Sequence, residues 1–461
     1  MTKKDNRVFT SILFKPKSLN FNYGGTLMSM NIRSMVDHEN GLIDRRIFWD
    51  EAIYQQELKQ IFARCWHFVA HESQVKSFGD FITTYIGEDA VIVARAKDKS
   101  INVMLNACPH RGNKVCFAGE GKIRSFVCNY HGWAFGLDGK LNGMPANELY
   151  DKTEGFNKED WGLHRARVET YKGLVFATFD EEAPSLGEYL GDFRWYLDAI
   201  LDVDDKGTEF LPGTTRSLLK CNWKYPADNF VGDIYHALWT HLGAAEATLK
   251  DAGGIVVSNE NSYQASVNGH GWEFSLANNF GNAATMGDKD IIKYLRSREQ
   301  EITKRLGVAR GKMLGSVASG LIFPNFAFLP GYLTFRTFLP KGPTETELHS
   351  WTLVPSEASD EIKDKWRLGA MRTFSPSGIL EMDDGENWEH ATLGNSGYVT
   401  RNQKLCYAMN PTKGEAVPID LPGTVTKGQL NDANQRLFFK RYTEFMEAGS
   451  WADIPLAESK F

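Results

Sequence analysis

The chain has 461 residues and a formal net charge of -6, with 42% hydrophobic and 24% charged residues. This composition is ordinary for a globular protein of two or three domains. The chain has neither the clustered basic residues of a nucleic-acid-binding protein nor an apolar run near the roughly 20 residues of a membrane span. We therefore expect neither nucleic acid nor membrane as a partner. Six cysteines at this length do not indicate a disulfide framework, which predicts free thiols and a cytoplasmic location.

The N-terminal part of the chain is predicted to have two segments. Residues 1–30 carry scattered basic side chains without an apolar stretch long enough for a signal peptide, which predicts a flexible extension. From Ile43 to Cys65, apolar residues recur every three to five positions. This spacing is typical of a helix, so we expect residues 31–64 to form a helical segment that packs on the larger domain.

Residues 65–184 alternate short β-rich runs with turns, which predicts a small antiparallel β-domain. The domain contains two mixed pairs of ligands, with 17 residues between them. Cys108 and His110 lie in CPHRG, and Cys128 and His131 lie in CNYHGW. Two cysteines and two histidines bind a Rieske [2Fe–2S] cluster, in which thiolates hold one iron and imidazoles hold the other. Neutral imidazole ligands raise the reduction potential, which suits a one-electron carrier.

Structural zinc is the alternative for these four residues, because zinc also binds two cysteines with two histidines. Zinc motifs usually group a cysteine pair and then a histidine pair, whereas each loop here mixes the two around Gly112 or Gly132. The arrangement therefore favours the cluster. The other cysteines are expected to be ordinary buried or half-buried thiols: Cys65, Cys116, Cys221 and Cys406.

Residues 185–461 predict a larger domain, in which helices pack on an antiparallel sheet. The chain is therefore expected to be α+β, with the small β-domain inserted in this larger domain or followed by it. An apolar stripe from Leu186 to Leu201 predicts one helix. Further helices are predicted at 288–306, 359–373 and 428–448, and strands in SYQASV, GLIFPNFAFLP, YLTFRTFLP and ELHSWTLVP.

A second metal site is predicted in the larger domain. His236 and His241 follow a series of acids and amides, and the acidic stretch EMDDGEN comes much later. Two neutral histidines and one carboxylate form the facial triad of mononuclear Fe(II), which leaves positions open for dioxygen. Residues five apart on a regular helix lie about 140° apart, so we predict a widened or broken turn, such as a π-bulge, between the histidines. Ordinary helix histidines are the alternative.

Three polar residues precede the two histidines. Asp233 lies one helical turn before His236, where a carboxylate can fix the tautomer of a metal-binding imidazole. A carboxylate on the helix surface is the alternative. Asp228 and Asn229 are weaker candidates for the same role.

The two sites together resemble those of Rieske non-haem iron oxygenases. More narrowly, the chain resembles the large (alpha) subunits of aromatic-ring-hydroxylating dioxygenases of the biphenyl, phenylpropionate and naphthalene type. The resemblance runs from about Val36 to about Trp451 and rests on these strings: GLIDRRIFWDEAIYQQELKQIFARCW, CPHRG, CNYHGW, YKGLVFATF, YLGD, CNWKYPADNFVGDIYH, IFPNFAFL and FSPSGILEMDDGENW.

This resemblance implies roles for individual residues. It assigns seven metal ligands: Cys108, His110, Cys128 and His131 for the cluster, and His236, His241 and Asp384 for the iron. Asp383 is the rival carboxylate for the iron. Asp233 is implied to bridge the two centres between subunits, by bonding to an iron-binding histidine and to His131 of the partner subunit, so that the cluster of one chain serves the iron of the next. Asn229 is a further candidate catalytic residue.

The implied reaction is cis-dihydroxylation of an aromatic ring with both atoms of O2, as in the catabolism of aromatic hydrocarbons. The resemblance implies that the electrons come from NADH through a reductase and a ferredoxin, and that the chain assembles as α3 or as α3β3 with a small β subunit. A Rieske monooxygenase or demethylase is the closest alternative. A pure electron carrier and a zinc-stabilised binding protein are the others.

Side chains near the iron motifs are candidates for a pocket that recognises a flat aromatic compound by shape, although each is equally well explained as core. The candidates are Asn229, Phe230, Ile234, Ala237, Leu238, Phe328, Phe374 and Leu380. No Arg or Lys except Lys224 stands within the iron motifs, so we expect a neutral mono- or polycyclic hydrocarbon rather than an aromatic acid. Asp228 stands where the family often has Glu, and Leu380 where some relatives have a bulky aromatic, so the attacked ring positions are not carried over.

Overall fold

The computed structural model describes residues 30–248, 259–276, 288–316, 319–409 and 420–460. The predicted extension therefore lies outside the described residues, apart from Met30. The described chain forms two compact units. The smaller unit comprises residues 75–84 and 89–166, and the larger unit comprises the rest. None of the described helices combines the length and the apolar character that crossing a membrane requires.

The larger unit begins at the N-terminal end of the described chain. Its first elements are strand β1 (Val36–Asp37), strand β2 (Leu42–Asp44), helix α1 (Glu51–Glu57) and strand β3 (His67–His71). The Asp50 carboxylate begins α1 by accepting the backbone N–H groups of Ala52 and Ile53. The helix prediction from Ile43 is thus wrong at its start. Strand β2 pairs with β1 on one side and with residues 404–406 on the other, and this long-range pairing overrides the local pattern.

The smaller unit contains two antiparallel sheets among its described residues. Its elements are β4 (Asp80–Ile86), β5 (Asp89–Arg95), β6 (Ile101–Leu105), β7 (Glu120–Lys122), β8 (Phe126–Val127), β9 (Ala134–Phe135), β10 (Leu141–Gly143) and α2 (Asn147–Tyr150). One sheet has the order β6-β5-β4-β7, and the other has the order β10-β9-β8. The unit has its own apolar core, which includes Phe126, Trp133 and Phe135.

The larger unit continues from residue 167. Its strands are β11 (Arg167–Tyr171), β12 (Leu174–Thr178), β13 (Thr208–Phe210), β14 (Thr215–Leu219), β15 (Ser262–Val267), β16 (His270–Ser275), β17 (Ser319–Ile322), β18 (Phe326–Leu329), β19 (Thr334–Gly342), β20 (Glu345–Pro355), β21 (Lys404–Cys406) and β22 (Thr424–Lys427). Its helices are α3 (Leu186–Leu190), α4 (Phe193–Leu201), α5 (Lys224–Gly232), α6 (Ala237–Thr240), α7 (Leu242–Thr248), α8 (Lys289–Leu306), α9 (Val308–Met313), α10 (Asp360–Thr373), α11 (Glu381–Asn395) and α12 (Ala433–Glu447).

A nine-stranded antiparallel sheet forms the centre of the larger unit. Its order is β13-β20-β19-β18-β17-β16-β15-β22, and β14 also pairs with β20. Helix α5 packs on strands β16 to β18. The approach is close because Gly271 of β16 has no side chain: a Cβ at this position would lie 2.5 Å from the Val231 side chain. Smaller sheets have the orders β11-β12-β3 and β1-β2-β21. The predicted α+β class, with a small antiparallel β-domain and a larger domain of sheet and helices, is confirmed.

Strands β3, β11 and β12 form a sheet within the larger unit, so the compact smaller unit is narrower than the predicted domain at 65–184. The domain boundaries themselves stay a prediction. The helix predicted over Leu186–Leu201 is two helices, because Gly191 takes a φ of +51° and ends α3. Helices α8, α10 and α12 lie within the ranges predicted for them.

Candidate metal centres

The loop that follows β6 carries the first pair of cluster candidates. The backbone N–H of Cys108 donates to the carbonyl of Asn113 over 2.8 Å, and that of Gly112 donates to the carbonyl of Cys108 over 2.8 Å. Gly112 has a φ of +74°, a value that side-chain-bearing residues rarely adopt. The glycine in CPHRG therefore lets the chain turn back so that Cys108 and His110 can point to the same place.

The second loop, between β8 and β9, repeats this hydrogen-bond pattern. Cys128 N–H donates to the carbonyl of Trp133 over 2.8 Å, and Gly132 N–H donates to the carbonyl of Cys128 over 2.9 Å. Gly132 has a φ of +73°, and a Cβ there would also lie 3.0 Å from Pro145. Two loops of the same geometry thus present one cysteine and one histidine each.

The four candidate ligands meet between these loops. The rings of His110 and His131 lie 4.4 Å apart, and His110 stacks on Trp133 at 4.9 Å. Cys108 and Cys128 are buried, and the Nδ1 atom of His110 is buried with no hydrogen-bond partner among the described residues. An unpartnered buried imidazole nitrogen beside two buried thiols fits a cluster ligand, since buried polar atoms otherwise have partners.

The surroundings of the two thiols affect their ionisation in opposite directions. Burial raises the pKa of the Cys108 thiol. Burial also opposes ionisation of Cys128, but the backbone N–H of Tyr130 and the side chain of Asn113 outweigh it, so the pKa of Cys128 is lowered. The Asn113 Nδ2 atom lies 3.6 Å from the Cys128 sulfur. Hydrogen bonds of this kind stabilise a thiolate and raise the potential of a cluster that it holds.

The second candidate centre is formed by three residues of the larger unit. The one-turn helix α6 separates the two histidines, with His236 directly before it and His241 directly after it. The residues between them form a regular helical turn, in which the N–H of Thr240 donates to the carbonyl of His236 over 2.8 Å, and the backbone leaves helical geometry only at His241, with φ -101° and ψ +15°. The break thus lies at His241 rather than between the histidines, and the suggested π-bulge is absent between them. Both Nε2 atoms face the same oxygen, Oδ1 of Asp384, at 3.2 Å from His236 and 3.3 Å from His241.

The three side chains fit a metal ion. Their ligand atoms all lie within 4.8 Å of one another. Asp384 is only 3% exposed, and its Oδ1 atom is buried without a hydrogen bond from any described residue. Burial opposes ionisation of this carboxyl, but the two imidazoles outweigh it and lower the pKa of Asp384 to about 2. Two imidazoles and one carboxylate on one side of a site are the donor set of mononuclear Fe(II).

Groups behind the histidines fix which nitrogen carries the proton. The Nδ1 atom of His236 contacts the backbone carbonyl of Asp233, which can only accept. The Nδ1 atom of His241 lies 3.3 Å from Oδ2 of Asp383. Both Nδ1 atoms are therefore assigned a proton. A bound metal ion would take the place of the Nε2 protons that face Asp384 and receive the Nε2 lone pairs. Asp383 is 40% exposed and contacts the rear of His241, so Asp384 is the better candidate ligand of the two.

The predicted linking residues lie beside His236. Asp233 is 32% exposed; its Oδ2 atom lies 3.6 Å from Nδ1 of His236, and its Oδ1 atom accepts the His236 backbone N–H over 3.3 Å. The Nδ2 atom of Asn229 lies 3.4 Å from Asp233 Oδ2 and 3.1 Å from His236 Nδ1. Asp228 instead accepts the hydroxyl of Tyr407 over 2.8 Å. Burial, and then the charge of Asp233, raise the pKa of Asp228 well above its usual range.

The pocket candidates fall into two groups. Phe230, Phe374, Leu380 and Ala237 are buried, and Ile234, Leu238 and Asn229 are half-buried in the elements that carry the iron candidates. Phe328 is separate from them. Its ring lies 5.0 Å from that of Trp272 and 5.7 Å from that of Phe335, on the side of the sheet opposite to Gly271 and α5. The structure thus places Phe328 in the core behind the sheet.

An ion pair between β19 and α11 was missed by the sequence analysis. Arg336 Nη1 lies 2.8 Å from Oε2 of Glu381, and both side chains are buried. The guanidinium lies over the rings of Phe230, at 4.7 Å, and Phe374, at 5.0 Å. A charged residue within the otherwise apolar strand string YLTFRTFLP is the signal that could have indicated it.

Lys224, the one basic residue noted within the iron motifs, points away from the iron candidates. Its Nζ atom lies 2.5 Å from Oε1 of Glu57, and both side chains are fully buried. Glu57 also accepts hydrogen bonds from the Trp223 ring and the Tyr442 hydroxyl. This network connects α1, α5 and α12, so the contribution of Lys224 is to packing.

Comparisons with known proteins match the part of the chain around each of the two candidate metal centres to a family. Residues 65–157 match the family model described as Rieske [2Fe-2S] domain, and residues 186–416 match the one described as ring hydroxylating alpha subunit (catalytic domain). The chain is 39% identical over 434 residues to the biphenyl 2,3-dioxygenase alpha subunit of Rhodococcus jostii (strain RHA1), covering 92% of this chain and 93% of the relative. It is 38% identical over 432 residues to a benzene 1,2-dioxygenase alpha subunit of Pseudomonas putida, covering 91% and 94%.

Solved structures give the same result. The structure of naphthalene 1,2-dioxygenase with indole bound in the active site superposes with a TM-score of 0.85 at 30% identity, covering 92% of this chain and 97% of that one. The quaternary ammonium Rieske monooxygenase CntA shares the fold at 20% identity, with a TM-score of 0.66.

Proposed function

This chain belongs to the family of aromatic-ring-hydroxylating dioxygenase alpha subunits, and we propose that it converts an aromatic ring to a cis-dihydrodiol. Its cofactors are a Rieske [2Fe–2S] cluster and a mononuclear iron. In the proposed reaction an arene, O2, NADH and a proton give a cis-dihydrodiol and NAD+. The electrons pass from NADH through a reductase and a ferredoxin to the cluster.

The convergence of His236, His241 and Asp384 on one buried point is the observation that carries this proposal. We propose that these three residues hold the iron, and that Cys108, His110, Cys128 and His131 hold the cluster. Iron in such a site supplies the one-electron chemistry that activates dioxygen beside a bound substrate. The chain contributes a ligand of fixed charge, since the two imidazoles outweigh the effect of burial and keep Asp384 ionised across the neutral range.

The chain also holds the protons away from the metal. In this proposal, the carbonyl of Asp233 keeps a proton on Nδ1 of His236, and the carboxylate of Asp383 keeps one on Nδ1 of His241. Each Nε2 atom then faces the metal as a neutral donor, which is the form that binds iron.

Asp233 is the proposed link between the two centres. Its carboxyl is partly exposed while it contacts His236, so one end is free to meet a second chain. We propose that it bonds to the partner subunit's His131, so that the cluster of one chain serves the iron of the next. This link requires an assembly, and we propose α3β3 with a small β subunit and a cytoplasmic location, in keeping with six cysteines that form no disulfide.

The proposed substrate is a neutral mono- or polycyclic aromatic hydrocarbon. Buried apolar side chains near the iron candidates, among them Phe230, Phe374 and Leu380, suit a flat ligand recognised by shape. The described basic side chains of this region support a neutral substrate, because Arg336 is paired with Glu381, and Lys224 points away from the iron candidates and is paired with Glu57. A substrate carboxylate would have to compete with a carboxylate already in place.

Product analysis under 18O2 tests this function. The purified chain with its β subunit, a matched ferredoxin and a reductase is supplied with NADH and a panel of benzene, biphenyl and naphthalene. We expect a cis-dihydrodiol that contains two labelled oxygen atoms. A phenol with one labelled atom would instead identify a Rieske monooxygenase. Turnover of benzoate with none of the hydrocarbons would overturn the proposed substrate class.

A further inference from the structure

Three buried polar side chains lie side by side on the central sheet, facing the end of α5. Gln264 of β15 pairs in register with Glu273 of β16, which pairs in register with Ser319 of β17. We call these three residues the polar row. Directly paired residues of antiparallel strands project from the same face, and Gly271, two residues from Glu273, meets Val231 of α5. The polar row therefore lies against the segment that leads into Asp233.

The polar row bonds to the backbone where α5 ends. The Nε2 atom of Gln264 donates to the carbonyl of Gly232 over 2.8 Å. One oxygen of Glu273 accepts the backbone N–H of Ile234 over 3.2 Å, and its other oxygen shares a hydrogen bond with the Ser319 hydroxyl over 2.8 Å. Glu273 thus holds the residue directly after Asp233 and two positions before His236.

Glu273 is a carboxyl group that is buried without a cationic partner. It is 1% exposed, and among the described residues no Lys or Arg forms an ion pair with it. Burial raises the pKa of Glu273 to about 8, so the side chain is a neutral carboxylic acid at pH 7. A buried polar group is costly unless its hydrogen bonds are made, and one of the two bonds that Glu273 makes leads to the turn that carries Asp233 and His236.

We propose that Glu273 is a positioning residue, which holds the turn from Asp233 to His236 in the geometry that electron transfer to the iron requires. This inference rests on the proposed function, in which Asp233 links the two centres. Glu273 acts through the N–H of Ile234, and in the described residues its hydrogen bonds go to Ile234 and Ser319 rather than to His236, His241 or Asp384. A displacement of about 1 Å in a reacting group can slow a reaction about a hundredfold, so loss of this contact is expected to slow electron delivery.

Three substitutions separate the hydrogen bond to the Ile234 N–H from the charge and the volume of the Glu273 side chain. In E273Q, the amide oxygen still accepts the Ile234 N–H, and the neutral amide resembles the neutral acid. E273L fills the space without an acceptor. In E273D the carboxyl is one methylene shorter and falls short of Ile234, so this variant keeps the test valid if E273L does not fold.

Two measurements on the holoenzyme test the inference. Hydrogen–deuterium exchange reports protection of the peptide that spans residues 231–236, and single-turnover spectroscopy reports the rate at which the reduced cluster is reoxidised with substrate and O2. We expect E273L and E273D to exchange at least about tenfold faster in this peptide and to reoxidise the cluster about ten- to a hundredfold more slowly. We expect E273Q to resemble the wild type in both measurements, with iron content and KM unchanged in all three variants.

The outcomes distinguish this inference from the proposed function. If Asp233→Ala stalls cluster reoxidation while E273L and E273D do not, the link holds and the role of Glu273 is wrong. An E273Q variant as slow as E273L would also overturn it, since the hydrogen bond would then not be what matters. If Asp233→Ala itself reoxidises the cluster normally, the proposed link fails, independently of Glu273.

Discussion

Neighbouring residues with the same side chain have opposite environments in this chain. Asp383 and Asp384 are adjacent in sequence, yet Asp384 is 3% exposed and faces two Nε2 atoms, whereas Asp383 is 40% exposed and faces one Nδ1 atom. No sequence pattern separates them, because the difference arises from how the first turn of α11 meets the two histidines. Burial and direction, rather than residue type, assign the roles.

Substituting each of these two aspartates by asparagine should show which one binds the iron and which one only holds His241. Asp384→Asn removes the carboxylate that both imidazoles face, so we expect the mononuclear iron to be lost while the visible spectrum of the cluster stays unchanged. Asp383→Asn is the matched control. It weakens only the partner of His241 Nδ1, so we expect iron affinity to fall about ten- to a hundredfold. Metal titration of both variants measures this, and equal losses in the two would contradict the assignment.

The raised pKa of Glu273 predicts a pH dependence of stability. The pKa rises from 4.5 to about 8 on folding, so between these values the folded chain binds one more proton than the unfolded chain. The free energy of unfolding therefore falls with rising pH, by about 1.4 kcal/mol per pH unit from this group. Glutamine does not titrate, so E273Q should gain stability relative to the wild type from pH 5.5 to pH 7.5 in urea unfolding. Parallel curves would show that Glu273 is not a neutral acid in the fold.

Local patterns predicted many individual elements of the fold, and long-range contacts account for the failures. SYQASV is strand β15, and the apolar repeat at 288–306 contains helix α8. Strand β2 was missed because its partners include residues 404–406. The break between α3 and α4 was missed because apolar periodicity continues across Gly191, whose backbone conformation ends the helix.

The buried pair of Arg336 and Glu381 connects two elements that the iron site needs. Glu381 is the first residue of α11, one turn before Asp384, and Arg336 comes from β19 of the sheet. Replacing Arg336 by methionine leaves a buried carboxyl without its partner, which is expected to cost about 3–5 kcal/mol of unfolding free energy. The double replacement R336M/E381L removes both polar groups, and we expect it to recover most of that loss. Urea unfolding checks both, and a double variant less stable than R336M would contradict this account.

At the scale of the whole molecule, the sequence alone indicated two metal sites but not the buried polar residues that surround the iron site. The cluster candidates lie within two short loops, so their spacing identified them. The iron candidates His241 and Asp384 come from α6–α7 and from α11, far apart in the chain. The chemistry of the triad joined the histidines with the stretch EMDDGEN, and the resemblance selected Asp384 within it. The polar row and the pair of Arg336 with Glu381 depend on the register of strands across the sheet, which no local pattern contains.

A mixed assembly tests whether electrons pass between chains. Asp233→Ala removes the proposed link but keeps both metals, and Cys108→Ser removes the cluster but keeps Asp233 and the iron ligands. Each variant alone should be inactive. Co-expressed, the two variants should recover about a quarter of the wild-type rate if subunits mix at random in a ring. In such rings the cluster of an Asp233→Ala chain serves the iron of a neighbouring Cys108→Ser chain. No recovery in verified mixed assemblies would place the transfer within one chain.

The central claim is that this one chain holds both an electron-carrying cluster and a separate iron atom that uses those electrons. Metal analysis of protein purified without oxygen tests it most directly. We expect about three irons and about two acid-labile sulfides per chain, because the Rieske cluster contains two irons and the site of His236, His241 and Asp384 contains one. Two irons per chain, even after reconstitution with excess Fe(II), would leave the second site without its metal and contradict the account.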